Sequence, residues 1–163
     1  MIKYPLLFII LIMNVACNQV SPRLQDSKEI YLTTLRWGET ELQELSKKMV
    51  QNILLSKEIA LLKEKTYTFG MIRNDTHDQI DTIRVQSKIT QGLLESDKFT
   101  FIEKGKANYI FQGKISSIFK KNATTKDMFF NFNLALIDTE TSIILWSEDI
   151  EIRKMYQRPL LAW

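Results

Sequence analysis

The chain has 163 residues, 45% of them hydrophobic and 25% charged, with a formal net charge of +3 at pH 7. That size suits one domain with a real core, and so slight a positive balance, spread along the chain among acids, does not describe a nucleic-acid binder. One histidine and one cysteine exclude an internal disulfide framework and make a poor ligand set for zinc or any other metal.

The chain opens with Lys3, an apolar run from Tyr4 to Met13, and then Asn14, Val15, Ala16 and Cys17. A charged start, a short apolar core and small residues before a cut describe a signal peptide over residues 1–16. The run is too short to span a membrane as a helix, which takes about 20 residues. Cys17 directly follows a small residue, and the stretch resembles a bacterial lipobox, whose cysteine is fatty-acylated and becomes the first mature residue. Asn14 departs from that pattern, which usually has an aliphatic residue there. A free thiol in an oxidising compartment would be a liability, which favours acylation of Cys17. Asn18 is not the aspartate that favours inner-membrane retention in enterobacterial lipoproteins. Its absence is compatible with sorting to the outer membrane, where the chain would face the periplasm.

Residues 17–38 contain Ser21, Pro22 and Ser27 and no sustained period, so they read as a lipid-anchored tether. Fully extended, the tether reaches about 70 Å at roughly 3.3 Å per residue. Ile30, Tyr31, Leu32, Leu35 and Trp37 are more apolar than a linker needs, which predicts that part of it docks on the domain. Residues 39–163 read as a single globular domain. A helix begins at Glu39, with Thr40 as its cap and a stripe of Leu42, Leu45, Met49 and Ile53. Its end falls between Ser56 and Lys65. Tyr67 to Arg73 alternates around Gly70 and reads as a strand. Thr76 with Gln79 spells a capping box, but the stripe Val85, Ile89 and Leu93 is in phase only from Asp81 or Thr82. The later start is preferred, leaving 74–80 as a loop. Phe99 to Glu103 is a short strand, and Gly105 with Lys106 turns the chain.

From Tyr109 to Lys154 three strand-like runs follow, separated by two polar turns. The middle run alternates cleanly, with Met128, Phe130, Phe132, Leu134 and Leu136 on one side. Phe129, Asn131, Asn133, Ala135 and Ile137 take the other. The first run places Phe111, Ile115 and Phe119 together; the third aligns Ile144, Trp146, Ile150 and Ile152, with Glu148 as the exception. This is a meander with one apolar face, which helices must cover. The fold class is α+β, a mostly antiparallel sheet covered on one face by helices.

Little here looks like catalysis. Asp75, His77, Asp78 and Asp81 cluster in sequence, but one histidine without a second ligand group makes a poor site. The bland alternative is an acidic turn feeding a helix N-terminus. There is no glycine-rich phosphate loop. Lys120, Lys121 and Lys126 make a basic hairpin tip, either a solvated turn or a contact to an acidic partner surface.

A resemblance extends this reading. The pieces ELSKKMVQNILLS, FGMIRNDTHDQIDT, SKITQGLLESDKFTFIE, ANYIFQGKISSI and KDMFFNFNLALIDTETSIILWSEDIEIRK resemble the LpoB family in order, from about Leu42 to Lys154. The family comprises lipoprotein activators of bifunctional peptidoglycan synthases. The resemblance implies a domain of the TolB amino-terminal kind, anchored in the outer membrane and binding the regulatory domain of a class A penicillin-binding protein. It implies no enzyme activity, no cofactor and a monomer. Arg73, Asn74 and Thr76 on the first loop, with Lys126, Asp127 and Phe129 on the basic hairpin, are the candidate partner-binding residues. The alternative roles are that Asn74 and Thr76 form the turn and that Phe129 packs under the tether. Two departures carry expectations of their own. An additional helical segment usual in the family is missing after FTFIE, so the strands on either side should join by a tight turn. Ser142 replaces the usual glycine of the last hairpin, which argues against a turn needing positive φ. The alternative function is a structural lipoprotein subunit of an outer-membrane assembly or secretion complex.

Overall fold

The computed structural model describes residues 34–63 and 66–157; the signal peptide, Cys17 and most of the tether lie outside the described residues. In chain order run α1 (Glu39–Leu55), the single turn α2 (Lys57–Ala60), β1 (Thr66–Asp75) and α3 (Thr82–Leu94). Then come β2 (Thr100–Phe101), β3 (Tyr109–Lys121), β4 (Thr125–Asp138) and β5 (Ile144–Gln157). The strands form one sheet in the order β2-β1-β3-β4-β5. No helix among the described residues is long and apolar enough to cross a membrane.

The period-two pattern of β4 sets the core. Phe130, Phe132, Leu134 and Leu136 are all completely buried. Antiparallel pairing on both sides aligns them with Ile115 and Phe111 on β3 and with Ile150 and Trp146 on β5. The cover comes from Leu42, Leu45, Met49 and Ile53 on α1 and Val85, Ile89 and Leu93 on α3. Each such side chain contributes about 1.5–3 kcal/mol when fully buried. The two helices approach closely at Gly92, where a Cβ would stand 2.9 Å from a methyl of Val50. Glu148, the exception on the apolar face, accepts a hydrogen bond from the Asn52 amide of α1 at 3.1 Å. Asp81 caps α3 by accepting from the Arg84 N–H, as the later start requires.

Residues just ahead of α1 do dock on the domain. Trp37 packs edge-on against Phe130 with ring centroids 5.4 Å apart. The Trp37 backbone N–H donates to Asp78 Oδ2 at 2.7 Å. Lys154 Nζ donates to the Arg36 carbonyl at 2.8 Å and pairs with Glu41 at 2.7 Å.

Several expectations change. The sheet is mixed rather than mostly antiparallel, because β1 pairs in parallel with both β2 and β3. A parallel neighbour needs a crossover connection, and α3 supplies the one from β1 to β2. Consequently β2 and β3 are not joined by a tight turn, since β1 lies between them. The 102–108 connection passes the start of β1, where Asn108 N donates to Thr66 Oγ1 at 3.1 Å. Thr139 Oγ1 holds it from the other side through the Ala107 carbonyl, at 2.6 Å. Thr40 does not cap α1: the N-cap is Gly38, with no side-chain cap bond. Helix α1 ends at Leu55, and Ser56 caps α2 by accepting from the Ile59 N–H. β1 continues to Asp75, two residues into the expected loop, with a bulge between Phe69 and Ile72. Ser142 has φ of 59°, so the last hairpin keeps the left-handed residue that glycine would favour.

Candidate functional site

The six candidate partner residues separate into three groups. Asp127, Phe129 and Arg73 lie on the sheet face away from the helices. Lys126 is exposed at the hairpin tip, on the opposite side of β4 from Asp127. Asn74 and Thr76 belong to the loop after β1.

That loop closes on itself. Asn74 Oδ1 accepts from Thr76 N at 3.0 Å, and Asn74 Nδ2 donates to the Asp78 carbonyl at 2.9 Å. Thr76 Oγ1 accepts from Asp78 N at 3.1 Å. Both side chains are therefore turn formers, presenting backbone rather than free polar groups. The neighbouring acids have structural partners too: Asp78 holds Trp37 and Asp81 caps α3. His77 is exposed, and the described residues hold no group of three or more metal-type ligands. Arg73 chelates Asp75, with Nε to Oδ1 at 2.8 Å and Nη2 to Oδ2 at 2.9 Å. Hydrogen bonding from Arg73, with the Arg73 and Lys114 charges, holds the Asp75 carboxyl below the usual range.

The second group is built across three strands. Register places Phe129 opposite Ile118 on β3 and Arg153 on β5, and Asp127 opposite Lys120 and Met155. Phe129 is flanked by two cations, Arg153 at 5.2 Å and Lys120 at 5.3 Å from its ring centroid. Asp127 Oδ2 accepts from Arg153 Nη2 at 2.8 Å, and this bond raises the guanidinium pKa. Ile118 and Met155 stand 60% and 58% exposed beside them. Among the described residues of the tether, Trp37 meets Phe130, on the face opposite Phe129. The turn itself is tight, with Asn122 Oδ1 accepting from Thr124 N at 2.9 Å and Thr125 N at 2.7 Å. A rigid hairpin thus presents a small apolar patch within a ring of charges. Such a surface suits recognition of another protein, with the charges steering encounter and the aromatic anchoring it. Ile118, Arg153 and Met155 were not among the sequence candidates, and Lys120 was read only as part of the basic tip. They share one patch only through strand register.

Comparison with known proteins completes the description. The model of a family described as peptidoglycan-synthase activator LpoB matches residues 41–107 and 104–152. No curated protein sequence matches the chain. Among solved structures, the LpoB C-terminal domain from Escherichia coli is 14% identical, with a TM-score of 0.48, covering 66% of this chain and 94% of that one. The corresponding domain from Salmonella enterica is 15% identical, with a TM-score of 0.44, covering 68% and 94%. Lipoprotein GNA1162 from Neisseria meningitidis is 10% identical, with a TM-score of 0.46, covering 56% and 83%.

Proposed function

Because the chain belongs to the LpoB family of peptidoglycan-synthase activators, we propose that it is a regulatory, non-catalytic lipoprotein that binds and stimulates a class A penicillin-binding protein. The observation that carries this reading is the family match, which spans nearly all the described domain. In it, Cys17 is acylated and anchors the chain in the outer membrane, facing the periplasm. Residues 17–38 form the tether, and the domain, monomeric and of the TolB amino-terminal kind, docks on the synthase's regulatory domain. A tether long enough to span the gap raises the effective concentration of the domain at its partner, to about millimolar for a short flexible linker. Docking then stimulates the synthase only to the extent that the domain binds the active arrangement more tightly than the inactive one.

The contact surface in this reading is the outer face of the hairpin. Phe129 is the anchor, with Asp127 orienting Arg153 beside it and Lys126 contributing charge at the tip. Arg73 extends the surface along the same face, and Asn74 with Thr76 gives the adjoining loop its shape. The test is reconstitution with each class A synthase of the same organism, following glycan polymerisation and peptide cross-linking. Acceleration of one synthase, with co-purification of the pair, is expected. Unchanged rates for every synthase, together with no co-purification, overturn the reading.

A further inference from the structure

β1 has an unfinished edge. On one side it pairs with β3 from Tyr67 to Asp75, whereas on the other β2 meets it only at Thr66 and Tyr67. Ile102 N adds one more bond, to the Tyr67 carbonyl at 2.9 Å. Among the described residues no strand continues that edge. Backbone groups alternate sides along a strand, so the N–H and C=O of Phe69 point the same way as those of Tyr67, to the side where no strand of the described residues pairs with them.

This open edge forms one wall of a groove of about 900 Å³, and α3 forms the other. The helix turns Ser87, Thr90 and Leu94 toward the groove, at i, i+3 and i+7. Leu94, at the end of that stripe, is 46% exposed. Phe69 and Phe101 stack with centroids 5.8 Å apart and make an apolar floor. Glu95 and Glu103 line the β2 end, and the described residues that line the groove include no Lys, Arg or His. A strand edge facing a helix across a groove is the geometry by which an added strand is bound, with backbone bonds for affinity and alternate side chains for selectivity.

We propose that the groove between β1 and α3 is a docking site for an extended peptide segment of a partner protein, added as a short strand beside Thr68 and Phe69, ahead of the bulge in β1. One apolar side chain rests on the Phe69 and Phe101 rings, and a Lys or Arg meets Glu95 and Glu103. Charge complementarity selects this occupant, because the described residues lining the groove include two carboxylates and no cation. The chain's own β2 shows that the edge accepts a parallel strand. The proposal does not depend on the identity of any synthase, since this groove and the Phe129 patch are built from different elements.

The experiment titrates the full chain with a blocked heptapeptide carrying valine at alternate positions and two lysines at one end. Its controls are the same peptide with glutamates for lysines and one N-methylated at alternate amides. The lysine peptide is expected to bind about tenfold more tightly than the glutamate peptide. N-methylation should abolish binding. Thr90→Arg, at a half-buried position where α3 lines the groove, should block it, with circular dichroism checking that the fold is kept. In E95K/E103K the preference should reverse toward the glutamate peptide. Equal binding of all three peptides, or binding unaffected by Thr90→Arg, overturns the proposal. Self-association of the chain that Thr90→Arg abolishes also overturns it, by assigning the edge to a second copy.

Discussion

The β3–β4–β5 meander has two faces made from adjacent residues of the same strands, and they have opposite fates. On one, Phe130, Phe132, Leu134 and Leu136 lie at 0% exposure beneath two helices. On the other, Phe129, Asn131, Asn133, Ala135 and Ile137 are only half-buried. Phe129 and Phe130 are neighbours in sequence, yet one ring lies between Lys120 and Arg153 and the other against Trp37. The helix-covered face supplies stability through area removed from water. The open face keeps its aromatic residue available by surrounding it with charges rather than a second layer.

Removing the buried ring gives the largest effect. Phe130→Ala is expected to cost about 3–5 kcal/mol, the usual range for a large core aromatic truncated to Ala. Urea denaturation of purified protein measures it, and a loss below about 1 kcal/mol would break the distinction between the faces. Next comes the ion pair at the edge of the covered face. Lys154 and Glu41 have side chains 18% and 8% exposed, with Nζ 2.7 Å from the carboxylate. Glu41→Ala leaves the ammonium nearly buried with only the Arg36 carbonyl, and should cost about 2 kcal/mol. Because the pair is shielded, raising the salt concentration should shrink that loss far less than it would for an exposed pair.

The covered face was legible in the sequence because alternation and helical stripes both report it. The β4 pattern and the stripes of α1 and α3 named the core residues directly. The order of the strands was not legible, since β1 and β2 carry no signal of which neighbour they pair with, and parallel pairing follows from the crossover through α3. The candidate surface was legible only in part. Asp127 and Phe129 could be placed on one face by period, but Lys120, Ile118, Arg153 and Met155 reach them through register, a property of three strands together. Ser142 shows a different limit. Glycine is favoured at φ of 59°, yet the hairpin holds that geometry with serine.

The two ends of β4 extend the comparison to turns. At the tip, Asn122 organises the chain through its side chain, whereas at the base Asp138 Oδ1 accepts from Glu140 N at 2.9 Å and Thr141 N at 2.8 Å. Left-handed backbone costs a non-glycine residue about 1–2 kcal/mol. Ser142→Gly should therefore stabilise the protein by up to about 1 kcal/mol, after the added freedom of the unfolded chain is subtracted. A destabilised variant would show that the serine side chain contributes something the hydrogen bonds do not reveal. The hydrogen bond from the Thr141 backbone leads the causes that hold the Asp138 carboxyl below its usual range. A lowered folded value stabilises the fold above the ordinary aspartate pKa, and that contribution fades as pH falls through the lowered one. Asp138→Asn should accordingly flatten the acid limb of the stability curve.

Phe129→Ala should have the smallest effect on stability and separates the faces most sharply. The ring is half-buried and its contacts are two exposed cations, each worth about 0.5–1 kcal/mol at a surface site. The Asp127–Arg153 pair remains after truncation, so the hairpin keeps its cross-strand tie. Unfolding should shift by about 1 kcal/mol or less. If the open face is the one a synthase meets, the same variant should weaken binding by about tenfold or more, as central aromatic anchors do. Denaturation and binding measured on one preparation decide it. A large stability loss would place Phe129 with the core, whereas unchanged stability with unchanged affinity would move the contact surface elsewhere on the domain.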